Sequence, residues 1–320
     1  MGRTAAAVHV ERITKAISSG DAASSAVAAS WRRSGRLHAL DPANNAPSVR
    51  LTKTEIAEAR ERLGPLPALA QSQLDRLFQA VGGVGCSVLL ADVNGVVLER
   101  RGAACDDTTF DTWGLWTGAV WSEKFEGTNG IGTCLFEQRS VTIDRDQHFY
   151  ARNALLACTT APIYDERGDL VAALDVSSCR ADLTAGFARL IATAVLEAAR
   201  AIEVENFRVA FPQARILLAP VGERAGPALL AVDRDDLVTG ATRAARQALG
   251  ITAQTLARPR PAADVIGLSH SAGDDVEAAE RAVLIRALAR SGGNVSKAAK
   301  LLNLSRATLH RRINQLGLHR

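Results

Sequence analysis

The sequence predicts an α+β protein. An antiparallel sheet flanked by helices comes first, then a small strand–turn–strand–helix segment, then an all-α C-terminus. Three observations lead there. Strand-like runs come in pairs joined by tight turns, as in "CSVLLAD-VNG-VVLER" and "LLACTTAPIYDERGDLVAALDVSS". Helices follow these pairs instead of alternating with single strands, which argues against a parallel βαβ sheet. The chain closes on "GGNVSKAAKLLNLSRATLHRRINQLGLHR", with helical spacing on both sides of a short turn.

Taken in order, an N-terminal helical region covers residues 1–68. "VERITKAISSGDAASSAVAASWRRS" has helical spacing and is expected to end near Gly35, before the breakers of "LDPANNAP". "TKTEIAEARERL" opens as a capped helix, with Thr52 or Thr54 standing before Glu55 and Glu58. After "GPLP", "ALAQSQLDRLFQAVGG" resumes the helix, with Leu69, Leu74, Leu77, Phe78 and Val81 on one side. Residues 69–206 hold the main sheet: a hairpin turning at Asn94-Gly95, the strand "SVTID", and two strands joined by Asp-Glu-Arg-Gly-Asp. One long helix, Leu183 to Phe207, carries an apolar stripe through Phe187, Leu190, Ile191, Ala194, Val195 and Ala198. Residues 207–257 repeat the pattern in miniature, ending in a helix with Ala241, Ala244, Ala248 and Leu249. Residues 258–274 read as a linker from their proline, glycine and serine content, and residues 275–320 as the helical end.

Composition bounds the class. Apolar residues make up 47% and charged residues 22%, so the chain is not of the disordered type. The net charge is only +4, so any preference for a polyanion must come from where the charges sit. "MGRTAAAVHV" runs into charged "ERITK", and no apolar run approaches the roughly 20 residues of a membrane span. A cytoplasmic protein without a membrane partner is expected. Cys86, Cys105, Cys134, Cys158 and Cys179 show no CxxC spacing, so neither a zinc knuckle nor a thioredoxin-type site is indicated. No metal and no cofactor are expected.

The C-terminal pattern carries the sharpest chemistry. "VEAAERAVLIRALARSGG" is a helix stopped by two glycines. Asn294 caps a second helix, and Ser305 a third. Small Ala298 and Ala299 allow close approach beside Leu302, while Leu304, Leu309, Ile313 and Leu316 are expected to face inward. That leaves Arg306, Thr308, His310, Arg311 and Arg312 outward, where a helix-turn-helix meets base edges and phosphates. From Val276 to Arg320 the basic residues far outnumber the two acidic ones, Glu277 and Glu280. A charge run alone would fit a solvated hairpin; the caps, small residues, turn and apolar spacing together point instead to double-stranded DNA.

The tail resembles the Fis-type helix-turn-helix (factor for inversion stimulation) through Asn294, Ala298, Ala299, Leu302, Ser305, Arg306, Thr308, Leu309 and Gly317. The resemblance implies DNA contacts by Ser305, Arg306, Thr308, His310 and Arg311; with Asn294, Lys297 and Arg312 these form the expected DNA-binding set. That family often has Arg or Lys where this chain has His310. The central string "EGTNGIGT" with its strand pairs, and "SWRRSGRLHALDP" before it, resemble the sensory GAF domain of the acetoin-catabolism regulator (AcoR) group. Residues 228–251 resemble a degenerate PAS half. The glycines of "EGTNGIGT" do not have phosphate-loop order, and no Walker A, Walker B or "GAFTGA" string occurs. The AAA+ ATPase of that group is therefore expected to be lacking.

The GAF resemblance implies a small-molecule effector. Trp113, Trp116, Trp121, Phe125, Cys134 and His148 are the expected ligand-binding residues, since a pocket of this kind is an apolar cavity with a few polar groups. For each aromatic, plain core filling competes with that role. A regulator acting by DNA occupancy is expected, not an enzyme, with a homodimer through the long helix and the N-terminal helices, and RNA polymerase as a further partner. Two rivals stand beside it. One is a cysteine-dependent sulfoxide reductase using Cys134 or Cys158; the other is an architectural nucleoid protein.

Overall fold

The computed structural model describes residues 4–18, 25–180, 182, 184–220, 226–267 and 276–318. The middle of the first expected helix (19–24), Leu183, the linker's second half (268–274), residue 275 and Arg320 lie outside the described residues. The chain divides into two compact units, Met1–Ala262 and Ala263–Arg320.

In the first unit, α1 (Ala5–Ser18) and α2 (Ala26–Arg32) are separate helices, because Ser25 caps α2 by accepting from the Ala28 amide. A π-helical turn, Arg33–Leu37, extends α2. Thr52 and Glu55 form a reciprocal capping box on α3 (Lys53–Arg62). Helix α4 (Leu66–Val81) starts within "GPLP", since proline is tolerated in a first helical turn.

Strands β1 (Cys86–Asp92) and β2 (Val97–Arg101) form the expected hairpin. Short helices α5 (Asp107–Thr112), α6 (Glu123–Glu126) and α7 (Gly130–Glu137) fill the irregular stretch before β3 (Val141–Asp144). With β4 (Ala157–Tyr164) and β5 (Leu170–Ser178), the sheet order is β2-β1-β5-β4-β3, antiparallel throughout.

Successive strand residues point to opposite faces, so each face has its own core. Val88, Leu90, Ala161, Ile163, Leu174 and Val176 pack against α4 and α8 (Ala185–Ala210). Leu89, Ala91, Val97, Cys158 and Ala173 pack under Phe110, Trp121, Ile131 and Cys134. On α8, Ile191, Val195 and Ala198 are buried as expected, but Leu190 is 66% exposed. It lies about 100° round the helix from Ile191, off the buried stripe.

A second antiparallel sheet, β6 (Arg215–Leu218), β7 (Leu229–Val232) and β8 (Val238–Ala241), packs Leu229 and Ala231 on Phe207 of α8. Thr242 then caps α9 (Arg243–Leu249), and α10 (Ala253–Leu256) follows. The proline-rich segment beyond holds a bridge between Leu237 and Pro261 and the short α11 (Ala262–Val265). The second unit consists of α12 (Val276–Arg290), α13 (Val295–Leu301) and α14 (Arg306–Gln315) around Leu284, Ala287, Ala298, Ala299, Leu309, Ile313 and Leu316. Leu304, expected inside, is 39% exposed. It follows Asn303, whose left-handed φ of 54° turns the chain outward between α13 and α14.

Candidate functional site

The second unit presents a charged face built by its caps. Asn294 Oδ1 accepts from the Lys297 amide at 3.0 Å, and Ser305 Oγ from the Thr308 amide at 3.0 Å. These bonds start α13 and α14 where the sequence places them. Leu309 and Ile313 anchor α14, which leaves Arg306, His310 and Arg311 exposed beside exposed Asn294, Lys297 and Ser305. Thr308 is half-buried. Arg306, Arg311 and Lys297 form no salt bridge with any described residue. Arg312 differs from the expectation. It is half-buried and pairs with Glu280 at 2.9 Å. Three residues after Leu309, it lies only about 60° from the buried stripe and so reaches α12. The outward cations stand on the first turns of a capped helix, whose end carries positive partial charge; this surface suits phosphates and base edges.

The first unit gathers only part of the expected ligand set. Trp113, Trp121 and Cys134 join one apolar cluster, and the buried Trp121 Nε1 donates to the Gly114 carbonyl at 2.7 Å. Trp116 is half-buried beneath the Arg100 guanidinium. Phe125 is 41% exposed on α6, so it walls no interior. Fully buried His148 meets that cluster only through Cys158, its Nε2 3.3 Å from Cys158 Sγ and its Nδ1 2.9 Å from the Arg145 carbonyl oxygen.

Cys158 belongs to a buried polar chain. Ser177 Oγ lies 3.0 Å from its sulfur and 2.7 Å from Asp175 Oδ2, and Thr160 donates to Asp175 Oδ1. A Cβ on Gly130 would sit 2.9 Å from Asp175 Oδ1 and 2.5 Å from Thr160 Oγ1, so only glycine lets "EGTNGIGT" come this close. Burial pushes the Asp175 carboxyl up to about 6, against the hydroxyl bonds that lower it. Burial also drives His148 down to about 4 and both the Cys134 and Cys158 thiols upward. These are neutral thiols, not the thiolates that nucleophilic chemistry requires.

Sequence reasoning found the "SWRRS" and "EGTNGIGT" strings but not that they touch. Ser30 Oγ donates to Glu123 Oε1 and lies 2.7 Å from Thr128 Oγ1. Arg33 clasps Glu123 through Nε and Nη2, both at 2.9 Å, and pairs with Glu137 at 3.0 Å. The π-helical turn after Arg32 holds this face, with Ser34 Oγ donating to the Ser30 carbonyl at 2.9 Å. Nothing local in either string signals a contact across some ninety residues.

An α+β unit closed by this buried loop, with a capped helix-turn-helix on the same chain, defines a class of bacterial transcription regulators. Residues 5–199 match the family model described as "MimR, N-terminal domain", and residues 275–316 match "Bacterial regulatory protein, Fis family". The chain belongs to the AcoR/MimR family of transcriptional regulators. It is 34% identical over 221 residues to the acetoin catabolism regulatory protein of Cupriavidus necator, covering 68% of this chain and 33% of the relative. It is 32% identical over 162 residues to the propane 2-monooxygenase operon transcriptional activator MimR of Mycolicibacterium smegmatis, covering 50% of this chain and 26% of that one. The chain thus spans a third or less of these relatives. The solved E. coli DhaR(N)–DhaL complex shares the fold, with a TM-score of 0.50 at 17% identity over 75% of this chain and 80% of that one.

Proposed function

We propose that this chain is a cytoplasmic, DNA-occupying regulator whose GAF-like unit binds a small effector, and whose α13–α14 face reads a duplex as a homodimer. The observation that carries the reading is the exposed set Lys297, Arg306, His310 and Arg311, without a salt bridge to any described residue, on two capped helices. The interval between the two family matches, residues 200–274, supports action without an ATPase. It is shorter than an ordinary domain of about 100–200 residues and is taken up by the end of α8, β6–β8 and α9–α11. Recruitment or blocking of RNA polymerase is then the mode of control. An effector shifts DNA affinity only insofar as it binds the two arrangements of the dimer unequally.

Duplex selection from a random pool, followed by anisotropy titration of the selected site against scrambled DNA at one salt concentration, tests this. A selected site bound about a thousandfold tighter than scrambled DNA supports the regulator. Equal affinity for every duplex replaces it with an architectural nucleoid protein.

A further inference from the structure

The main sheet has two faces, and the expected effector residues lie on a packed one. Trp121 and Cys134 are fully buried there in one cluster with Phe110 and Ile131. On the opposite face, a cavity of about 390 Å³ lies between β3, β4, β5 and the first turns of α8. Alternation along the strands puts Thr142, Ala157 and Thr159 on this side, since their neighbours Val141, Ile143 and Cys158 belong to the tryptophan cluster. Short side chains make the room: Ala157 on the sheet and Ala188 and Ala192 on α8 line the same space. It has the size of an ordinary small-molecule pocket, with room for roughly a dozen water-sized groups of about 30 Å³ each.

The lining states the chemistry. Ala157, Val176 and Ile191 form a buried apolar floor. Thr142 and Thr159 are cross-strand partners, with hydroxyl oxygens 3.3 Å apart. Only one of the two can donate to the other, and neither makes a second side-chain hydrogen bond among the described residues. One hydroxyl proton is thus left to offer to a ligand. Charge is confined to the rim, where Asp144 and Arg145 pair at 3.6 Å and Arg189 is exposed. An ion entering the floor would leave water for alanine, valine and isoleucine, a cost that no buried charge there offsets. Arg145 also holds a left-handed φ of 39°. Its carbonyl accepts from the His148 amide at 3.0 Å and Nδ1 at 2.9 Å, and its own amide donates to the Leu156 carbonyl at 2.7 Å. Strain pinned in this way gathers at ligand sites.

We propose that this cavity, and not the tryptophan face, is the effector site. Its ligand is an uncharged molecule of about ten heavy atoms with one oxygen that accepts a hydrogen bond, such as an aromatic ketone. The Thr142–Thr159 pair holds that oxygen, and the apolar body lies between Val176 and Ala192. The proposal rests on reading this unit as a sensor and names the place and the chemistry of sensing. A ligand here touches the first turns of α8, whose far end carries Phe207 against the second sheet.

The probe is acetophenone, with benzoate and benzamidine as its anionic and cationic counterparts of like shape, added to the full chain at constant ionic strength. Titration calorimetry and melting temperature are followed together. The expected result is saturable heat and a raised melting temperature with acetophenone, and binding about tenfold weaker or less for either ion. Ala192→Leu fills the cavity and should weaken acetophenone about tenfold or more. Thr142→Val with Thr159→Val keeps the shape but removes both hydroxyl protons, and should weaken it about fivefold. The double variant decides alone if Ala192→Leu alters the far-UV dichroism. Acetophenone binding unchanged by the folded variants overturns the proposal, for the ligand would then sit elsewhere. Equal binding of either ion overturns it too, as does failure of acetophenone to bind more tightly than about 10 mM. In that last case, stabilisation by a member of a wider set of alcohols, acids and amines preserves the sensor reading, and stabilisation by none removes both.

Discussion

Arg306 occupies the first position of α14, exposed and outside every described ion pair. Its replacement by alanine should therefore leave the urea midpoint unmoved. On the selected duplex it should remove about 1–3 kcal/mol if the side chain reads a base. Anisotropy on matched and single-substituted sites checks this; a uniform loss on all sequences marks a phosphate contact instead. Deep in the first unit, Asp175 and His148 make opposed contributions to stability. The folded pKa of Asp175, about 6, lies above its ordinary 3.8. Its contribution is full below about pH 4 and is lost as pH rises through 6. The folded pKa of His148, about 4, lies below its ordinary 6.5. Its contribution is full above about pH 6.5 and is lost as pH falls through 4. Between pH 4 and 6 the two slopes oppose. Relative to wild type, Asp175→Asn should gain stability more steeply over that range, and His148→Gln should lose it. Urea midpoints at pH 4, 5 and 6 measure both; three parallel profiles contradict the account.

At the scale of elements, the N-terminal helix pair is tied to the glycine loop through charge. Glu123 is 4% exposed and its partner Arg33 17%. Arg33→Met leaves the carboxylate buried and unpaired, which should cost about 3–5 kcal/mol, whereas Arg33→Met with Glu123→Leu should recover much of it. Chemical denaturation followed on the first unit decides; a loss under about 1 kcal/mol in the single variant contradicts the clasp. The two ends of this clasp also show what sequence can and cannot reveal. The caps at Thr52, Asn294 and Ser305 and the inward Ala298, Ala299, Leu309 and Ile313 follow from spacing within one helix, and were legible. The hairpin at Asn94-Gly95 was legible for the same local reason. Strand β6 was not, being four residues long without alternating burial. Arg100 on Trp116 and Arg33 on Glu123 were not either, because each depends on packing between distant segments. Phe125 and Leu190 misled because apolar character alone does not say which way a helix turns.

At the scale of the molecule, the division at Ala262 separates the unit proposed to bind an effector from the unit proposed to read a duplex. Leu309 is fully buried in the second unit's core, so Leu309→Asp should unfold that unit and abolish DNA binding. Melting of the first unit should remain as in wild type; its loss together with DNA binding would contradict independent units. A two-fold dimer predicts half-sites about 34–36 Å apart, one turn of the duplex, to be read from a footprint. The most direct measurement of the central claim is the salt dependence of binding to the selected duplex, for wild type and for the triple variant Lys297→Ala, Arg306→Ala and Arg311→Ala. The account predicts a linear fall of log affinity with log salt in wild type, and a slope shallower by about two to three in the variant, with both proteins equally folded. Identical slopes, or no attraction of the folded wild type to any duplex at low salt, would contradict it.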